Sequence, residues 1–501
     1  MVGAAGRGVL PPAAFGLRGD EPLPHDMSLR LAPGVRRLGT TVLFGGTPAR
    51  LVRLSERGTA LLERCSTDPV GTGAAARLGR RLTDAGLAVP CPTVPAPLPG
   101  ASAPDVTVVV PVRDRPDELA ACLASLGSRH RVLVVDDGSV DAGTVAAVCR
   151  VHGARLLRRD RAGGPAAARN TGLRAVTSEL VAFVDSDCAA GDRWIDALAV
   201  HFSDPLVVAV GPRIVAAPPG RGASLVAHAA GTQAGLVGPG RAVSYVPAAA
   251  VILRRGALGA GFDERLRYGE DVDLVWRLVE AGWRVRYVPE VEVAHHDPAA
   301  TVDRLRRRFR YGTAAGPLER LHPGTVDHLV LGPGVAWGVA ALLVGLPRLA
   351  ALAWVATAAR LERRLRALGL GRSLSLRLSL RLSLRGLARG WLGVGAWCTT
   401  FSLPLLAATV ALRRRRGRGR GRRAVRTLVL LVGSSLVARR LAPGVAGRRM
   451  LVEDLAAESV YGLGVLVGCA RARTLAPVVP RVRRSAWAGT RRARAGRAGQ
   501  R

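Results

Sequence analysis

The chain has 501 residues, room for two or three domains at about 150 residues each. Its net charge of +36 would suit a polyanion, but no lysine occurs, so a general bias toward Arg, Ala and Gly explains the charge as well. The basic runs Arg413 to Arg426 and Arg491 to Arg501 also lie far from the acidic clusters. Nucleic acid is therefore not an expected partner, and seven scattered cysteines without a CxxC pair imply neither a disulfide framework nor a zinc site.

Residues 1–30 read as a flexible leader, because Pro11, Pro12, Pro22 and Pro24 break any periodic element. Arg7, Arg18, Asp20 and Glu21 interrupt the apolar run that a secretory signal needs, so the main folded part of the chain is expected in the cytosol. Residues 31–89 form a small α/β module: strands within Val35 to Phe44, a turn at Gly45 to Pro48, and helical spacing over Ala49 to Leu62 and Ala74 to Ala85. A proline-rich linker, 90–104, follows. In 105–300 the apolar runs Val106 to Val110, Arg131 to Val135 and Leu180 to Val184 alternate with helical stretches. This predicts an α/β domain with a mostly parallel sheet, helices on both faces, and ligands beyond the carboxyl ends of the strands.

Two acidic clusters stand at those ends. Asp136 and Asp137 open DDGS after one strand; Asp185, Ser186 and Asp187 form DSD after another. A single acidic pair often only caps a helix, but two at one sheet edge supply the hard oxygen ligands that suit Mg²⁺ or Mn²⁺ beside a diphosphate. Between them GGPAAARNTG, Gly163 to Gly172, offers close backbone approach and the donors Arg169 and Asn170, though it also reads as a tight turn before a packed helix. Glu270 and Asp271 begin a helix in GEDVDLVWRL, where acidic residues complement the helix dipole or act as a general base. His295 and His296 in VEVAHHDP follow a strand, and an imidazole joins carboxylates readily around a metal, His295 being the stronger candidate.

In this order and spacing, VVVPVRDR, VVDDGS, GGPAAARNTG, FVDSD, GFDE and GEDVDLVWRL resemble the inverting family 2 glycosyltransferases of the GT-A fold. The resemblance implies that Pro111, Asp136, Asp137, Arg169 and Asp185 face the nucleotide of a UDP-sugar. It also implies that Asp185 and Asp187 hold the metal, which His295 joins by the chemistry of its imidazole, and that Asp271, with Glu270 beside it, is the catalytic base. LFGGTPARLVRLSERG at 43–58, SYVPAAAVILRR at 244–255 and the Arg-rich last third are similar to the mycofactocin-system glycosyltransferases. That closer resemblance implies glucose transfer onto a peptide-derived redox cofactor to build an oligoglucoside, and a first module that is either akin to those that recognise precursor peptides or a plain structural extension. A membrane glycosyltransferase for surface polysaccharide or glycolipid shares every core motif and stays open as the alternative. No QxxRW motif follows Asp271, which argues against a long processive product.

Residues 301–480 read as a helical, apolar, Arg-rich region, and 481–501 as a basic tail. Gly390 to Leu412 is uncharged for about 23 residues, enough to span a bilayer, and Leu329 to Pro347 is a weaker span. The arginines from Arg348 to Arg389 between them oppose export. Association with the cytoplasmic face of the membrane is therefore the expectation. The repeat SLSLRLSLRLSLR, Ser373 to Arg385, is low-complexity; its alternation suits an amphipathic strand as well as a repeat expansion, and no function is read into it.

Overall fold

Proline breaks do not leave the first residues loose. In the computed structural model, which describes residues 8–92, 105–217, 231–298, 300–401, 429–437 and 450–483, the Trp283 indole N–H donates to the Leu10 carbonyl at 2.7 Å and Phe15 meets Trp283 edge-on at 5.6 Å. The Leu10 and Ala260 amides donate to the Ala257 and Gly8 carbonyls. The leader is thus strapped over its described part: an indole hydrogen bond, an edge-on aromatic contact and backbone pairing hold a segment that has no periodicity of its own. Most of the linker, the two long basic runs, the tail beyond residue 483 and the part of the candidate span beyond Phe401 lie outside the described residues.

The first module contains β1 (Met27–Leu31), a meander of β2 (Arg36–Leu38), β3 (Val42–Gly45) and β4 (Arg50–Arg53), helices α1 (Glu56–Thr67) and α2 (Ala74–Asp84), and β5 (Ala88–Pro92), which returns antiparallel to β1. The helix expected from Ala49 begins later. Residues 50–53 pair with β3, and Ser55 caps α1 by accepting from the Gly58 amide at 3.1 Å, so the cap rather than leucine spacing sets the start. Arg80 on α2 reaches into the next domain. Its guanidinium donates twice to Asp204, at 2.7 and 3.0 Å, and Arg286 donates to the same carboxylate at 2.6 Å, all three side chains buried.

The catalytic domain runs β6 (Val106–Val112), α3 (Pro116–Leu126), β7 (Arg131–Asp136), α4 (Ala142–Val151), β8 (Arg155–Arg158), α5 (Pro165–Ala175), β9 (Leu180–Val184), β10 (Cys188–Ala189), α6 (Trp194–Ala199), β11 (Val207–Ala217), β12 (Gly235–Leu236), β13 (Ala250–Arg254), α7 (Glu270–Glu280) and β14 (Arg284–His296). The sheet order is β10-β14-β11-β13-β9-β6-β7-β8, with β12 on β14. Strands β9, β6, β7 and β8 are parallel, and their continuous apolar runs match burial on both faces. The remainder is mixed, since β13 pairs antiparallel with both β9 and β11. Strand β6 lies between β7 and β9, so the sequence order reverses there. This is the switch point at which an α/β sheet opens a crevice. Helix α5 sits close over it because Gly172 has no side chain: a Cβ there would come within 2.3 Å of Val109.

Beyond β14 come α8 (Thr301–Gly312), α9 (Ala315–Leu321), β15 (Val330–Leu331), α10 (Pro333–Leu343), α11 (Pro347–Ala367), α12 (Arg372–Phe401), α13 (Met450–Arg471) and β16 (Arg481–Val482). Helix α13 crosses α8 almost backbone to backbone: a Cβ on Gly464 would lie 2.1 Å from the Phe309 carbonyl. The Ser/Leu/Arg repeat is helical, not a strand. Its period of four puts Ser375, Ser379 and Ser383 on the buried face and Arg377, Arg381 and Arg385 on the exposed one; the Ser383 hydroxyl donates to the Ser379 carbonyl at 2.7 Å. Among the described residues no helix is long and apolar enough to cross a membrane. The tip of the β2–β4 meander packs on the far end of α11 through Leu38, Val42, Leu365 and Leu370.

Candidate active site

One guanidinium joins sequence motifs that are a hundred residues apart. Helix α5 delivers Arg169, which is buried, donates to Asp185 at 2.6 Å beyond β9, and donates to Glu270 at 2.8 Å at the start of α7. The close α5–β6 contact fixes its height over the crevice. Next to it, Asn170 donates to the Phe262 carbonyl and accepts from the Phe262 amide, both at 2.9 Å, which holds the segment leading into GEDVD.

Glu270 and Asp271 stand at the amino end of α7, after Gly269 in a left-handed turn (φ 82°) that brings the chain into the helix. Burial, reinforced by the charge of Asp271, raises the Glu270 carboxyl to about 7 even with Arg169 opposing it. Burial raises Asp271 as well. The two carboxyls have different partners. Glu270 is tied to a cation, whereas Asp271 accepts backbone N–H groups from Ala248 at 3.2 Å and Val272 at 2.8 Å. Backbone donors thus orient the Asp271 carboxylate, while Glu270 is held directly by the Arg169 guanidinium.

Strand pairing explains His295. Cys188 of β10 is opposite His295 of β14, and the His296 amide donates to the Asp187 carbonyl at 2.9 Å, so the DSD turn and the histidine meet. His295 Nε2 is 3.5 Å from Asp187 Oδ1 and its Nδ1 is 3.1 Å from Asp297 Oδ1. Burial opposes charging this imidazole, but Asp297 and Asp187 outweigh it and hold the pKa above the ordinary 6.5. A carboxylate on the far ring nitrogen is the arrangement that orients a metal-ligating histidine. His296 instead points Nδ1 at the Asp187 carbonyl, 3.3 Å away.

Among the described residues no three His, Cys, Asp or Glu side chains cluster as a metal cage. Asp187 and His295 form a pair, while Asp185 is turned to Arg169. One carboxylate and one imidazole fit a divalent ion that keeps water and substrate phosphate in the rest of its shell, as Mg²⁺ and Mn²⁺ do. Such an ion would displace the proton from Nε2.

Asp136 and Asp137 lie deeper than expected for a nucleoside contact. Asp136 is fully buried; it accepts from the Ser139 amide at 2.9 Å and is paired with Arg158. Asp137 accepts from the amides of Gly163 at 2.9 Å and Gly164 at 2.7 Å, and is ion-paired with Arg159. Both carboxylates organise loops: Asp137 ties the glycine turn to β7 and thereby sets the entry of α5. Pro111 is half-buried at the end of β6, level with Val135.

Four side chains join the site without having been singled out. Arg115, just past β6, donates to Asp187 at 2.7 Å, and Arg307 on α8 lies 3.9 Å from both Asp187 and Asp297. Tyr245 and Tyr311 are half-buried near Asp271, and burial and that nearby charge both raise their phenols. The RDR triplet after β6 was a visible signal for Arg115. Arg307 had none, since it is one of several arginines on an Arg-rich helix and only the crossing of α8 selects it.

Residues 107–258 match glycosyl transferase family 2. Over 484 residues, 92% of this chain and 99% of its relative, the sequence is 36% identical to the pre-mycofactocin glycosyltransferase of Mycobacterium tuberculosis. The chain belongs to the pre-mycofactocin glycosyltransferases. It is therefore a glycosyltransferase of family 2, with the GT-A arrangement of that family in β6 to β14. Glycosyltransferase AglE of Haloferax volcanii is 25% identical over 221 residues, 42% of this chain and 72% of AglE. A solved mannosyltransferase from Pyrobaculum calidifontis, in complex with GDP-Man and Mn²⁺, is 22% identical, covers 57% of this chain and 87% of its own, and superposes with a TM-score of 0.37. In this chain the candidate base, the Asp187–His295 pair and the bridging Arg169 all come together at the β6 switch point.

Proposed function

We propose that this chain transfers glucose from UDP-glucose, with inversion at the anomeric carbon, onto a peptide-derived redox cofactor precursor and extends it into an oligoglucoside. The observation that carries the reading is the Asp185–Arg169–Glu270 bridge, which sets Asp271 across one crevice from Asp187 and His295. The acceptor class rests on the name of the Mycobacterium tuberculosis relative.

Asp271 takes the proton of the acceptor hydroxyl; the oxygen attacks the anomeric carbon, and the bond from that carbon to UDP breaks with its electron pair leaving on the diphosphate. Backbone donors from Ala248 and Val272 hold the carboxylate toward the acceptor. Arg115 and Arg307 put positive charge beside the leaving group. Asp187 and His295 would hold Mn²⁺ or Mg²⁺, which supplies charge neutralisation at the diphosphate when bound. Asp271→Asn tests the base: turnover of UDP-glucose should fall roughly 10²- to 10⁴-fold, while UDP binding, measured by calorimetry, stays near wild type. Transfer close to wild type in that variant overturns the assignment. Transfer to simple sugar or lipid acceptors in preference to the peptide-derived one overturns the acceptor.

A further inference from the structure

Helices α10 and α11 join through residues 343–349, every one of them exposed: Leu343, Val344, Gly345, Leu346, Pro347, Arg348 and Leu349. A turn in water normally carries polar residues. Here Val344 is 70% exposed, Leu349 51% and Leu346 48%, with Leu352 at 64% one turn along α11 and Trp337 at 75% on α10. Single exposed apolar residues need no explanation, but a run concentrated on one turn and its flanks marks an interaction site.

The surrounding charge selects the occupant. Between Pro333 and Phe401 stand ten arginines (348, 360, 363, 364, 366, 372, 377, 381, 385 and 389), all exposed, against the single acid Glu362. Among the described residues only Arg366 has an ion-pair contact, to Glu362 at 3.8 Å. The buried serine face of α12 turns Leu374, Leu376 and Leu384 outward with Arg377, Arg381 and Arg385. A second copy of this surface would meet it with like charge. An anionic bilayer accepts both features, because apolar side chains and an indole enter the acyl boundary while guanidinium groups stay among the phosphates.

We propose that the α10–α11 turn, with the outer faces of α11 and α12, is a docking surface for an anionic lipid bilayer, entered to interfacial depth and not crossed. The proposal goes beyond the transferase reading and does not depend on it. Co-sedimentation of the full chain with vesicles of phosphatidylcholine, and of phosphatidylcholine mixed with phosphatidylglycerol, tests it. Binding should require the anionic lipid, weaken with salt, and fall at least about tenfold in Leu346→Ser/Leu349→Ser and in Arg377→Gln/Arg381→Gln/Arg385→Gln. Both variants should keep the wild-type melting curve and transfer to a soluble acceptor. Equal binding to both vesicles, unchanged binding in both variants, or loss of a concentration-dependent dimer in place of vesicle binding overturns the proposal.

Discussion

Arg169 is buried between Asp185 and Glu270, whereas Arg381 on α12 stands in water with no ion-pair partner among the described residues. The same side chain, abundant for the same compositional reason, has opposite energetics in the two regions. In the catalytic domain Arg169, Arg277 and Arg286, and Arg80 reaching in from α2, are each almost fully enclosed and paired with a carboxylate. Their loss would strand a buried negative charge. Among the described residues the arginines along α11 and α12 have almost no ion-pair partners, so their effect is expected against another surface. Net charge by itself therefore says nothing about which arginines matter.

The sharpest way to break that contrast is Arg169→Met. It should cost roughly 3–5 kcal/mol in stability by leaving Asp185 and Glu270 uncompensated, with loss of transfer, both read from denaturant unfolding and an activity assay. A variant as stable as wild type would mean that the bridge is not a buried pair in solution.

A second test concerns a charge shared between regions. Buried His322, just past α9, sets Nε2 at 2.9 Å from Asp273 and Nδ1 at 2.6 Å from Glu280, with Arg277 on the other oxygen of Asp273. Burial opposes the imidazolium, but the two carboxylate hydrogen bonds outweigh it and the pKa is raised above 6.5. A raised folded value gives stability that is fully present below 6.5 and lost as pH rises through that raised value. Melting temperature should therefore fall with pH above 6.5, and the slope should flatten in His322→Gln. An unchanged slope would remove His322 as its source. The smallest effect belongs to Arg381→Gln, within about ±0.5 kcal/mol of wild-type stability; a larger change in thermal unfolding would show that this arginine has a partner within the chain.

Much of the site was legible because its chemistry needs few residue types at fixed places. DSD beyond a strand, ED at a helix start and a histidine after a later strand are local patterns, and each of the two strands flanking the switch point ends at its acidic cluster. Helix α5 was legible from GGPAAARNTG. The start of α1 was misplaced because leucine spacing continued across a hairpin, and only the Ser55 cap separates the two elements. The Ser/Leu/Arg repeat suits a strand by its alternation and a helix by its period of four, and it is the helix that puts its serines together on one buried face.

The sequence by itself determined the family, the acidic clusters and the candidate base, since those depend on residue identity and short spacing. Tertiary structure decided how those groups are divided. It assigned Asp185 to Arg169 and left Asp187 with His295, because β10 and β14 pair in a register that sequence does not show. It closed Asp136 and Asp137 into loops, because their oxygens meet backbone amides from distant segments. It also separated paired arginines from exposed ones, because burial depends on the neighbours that long-range packing supplies.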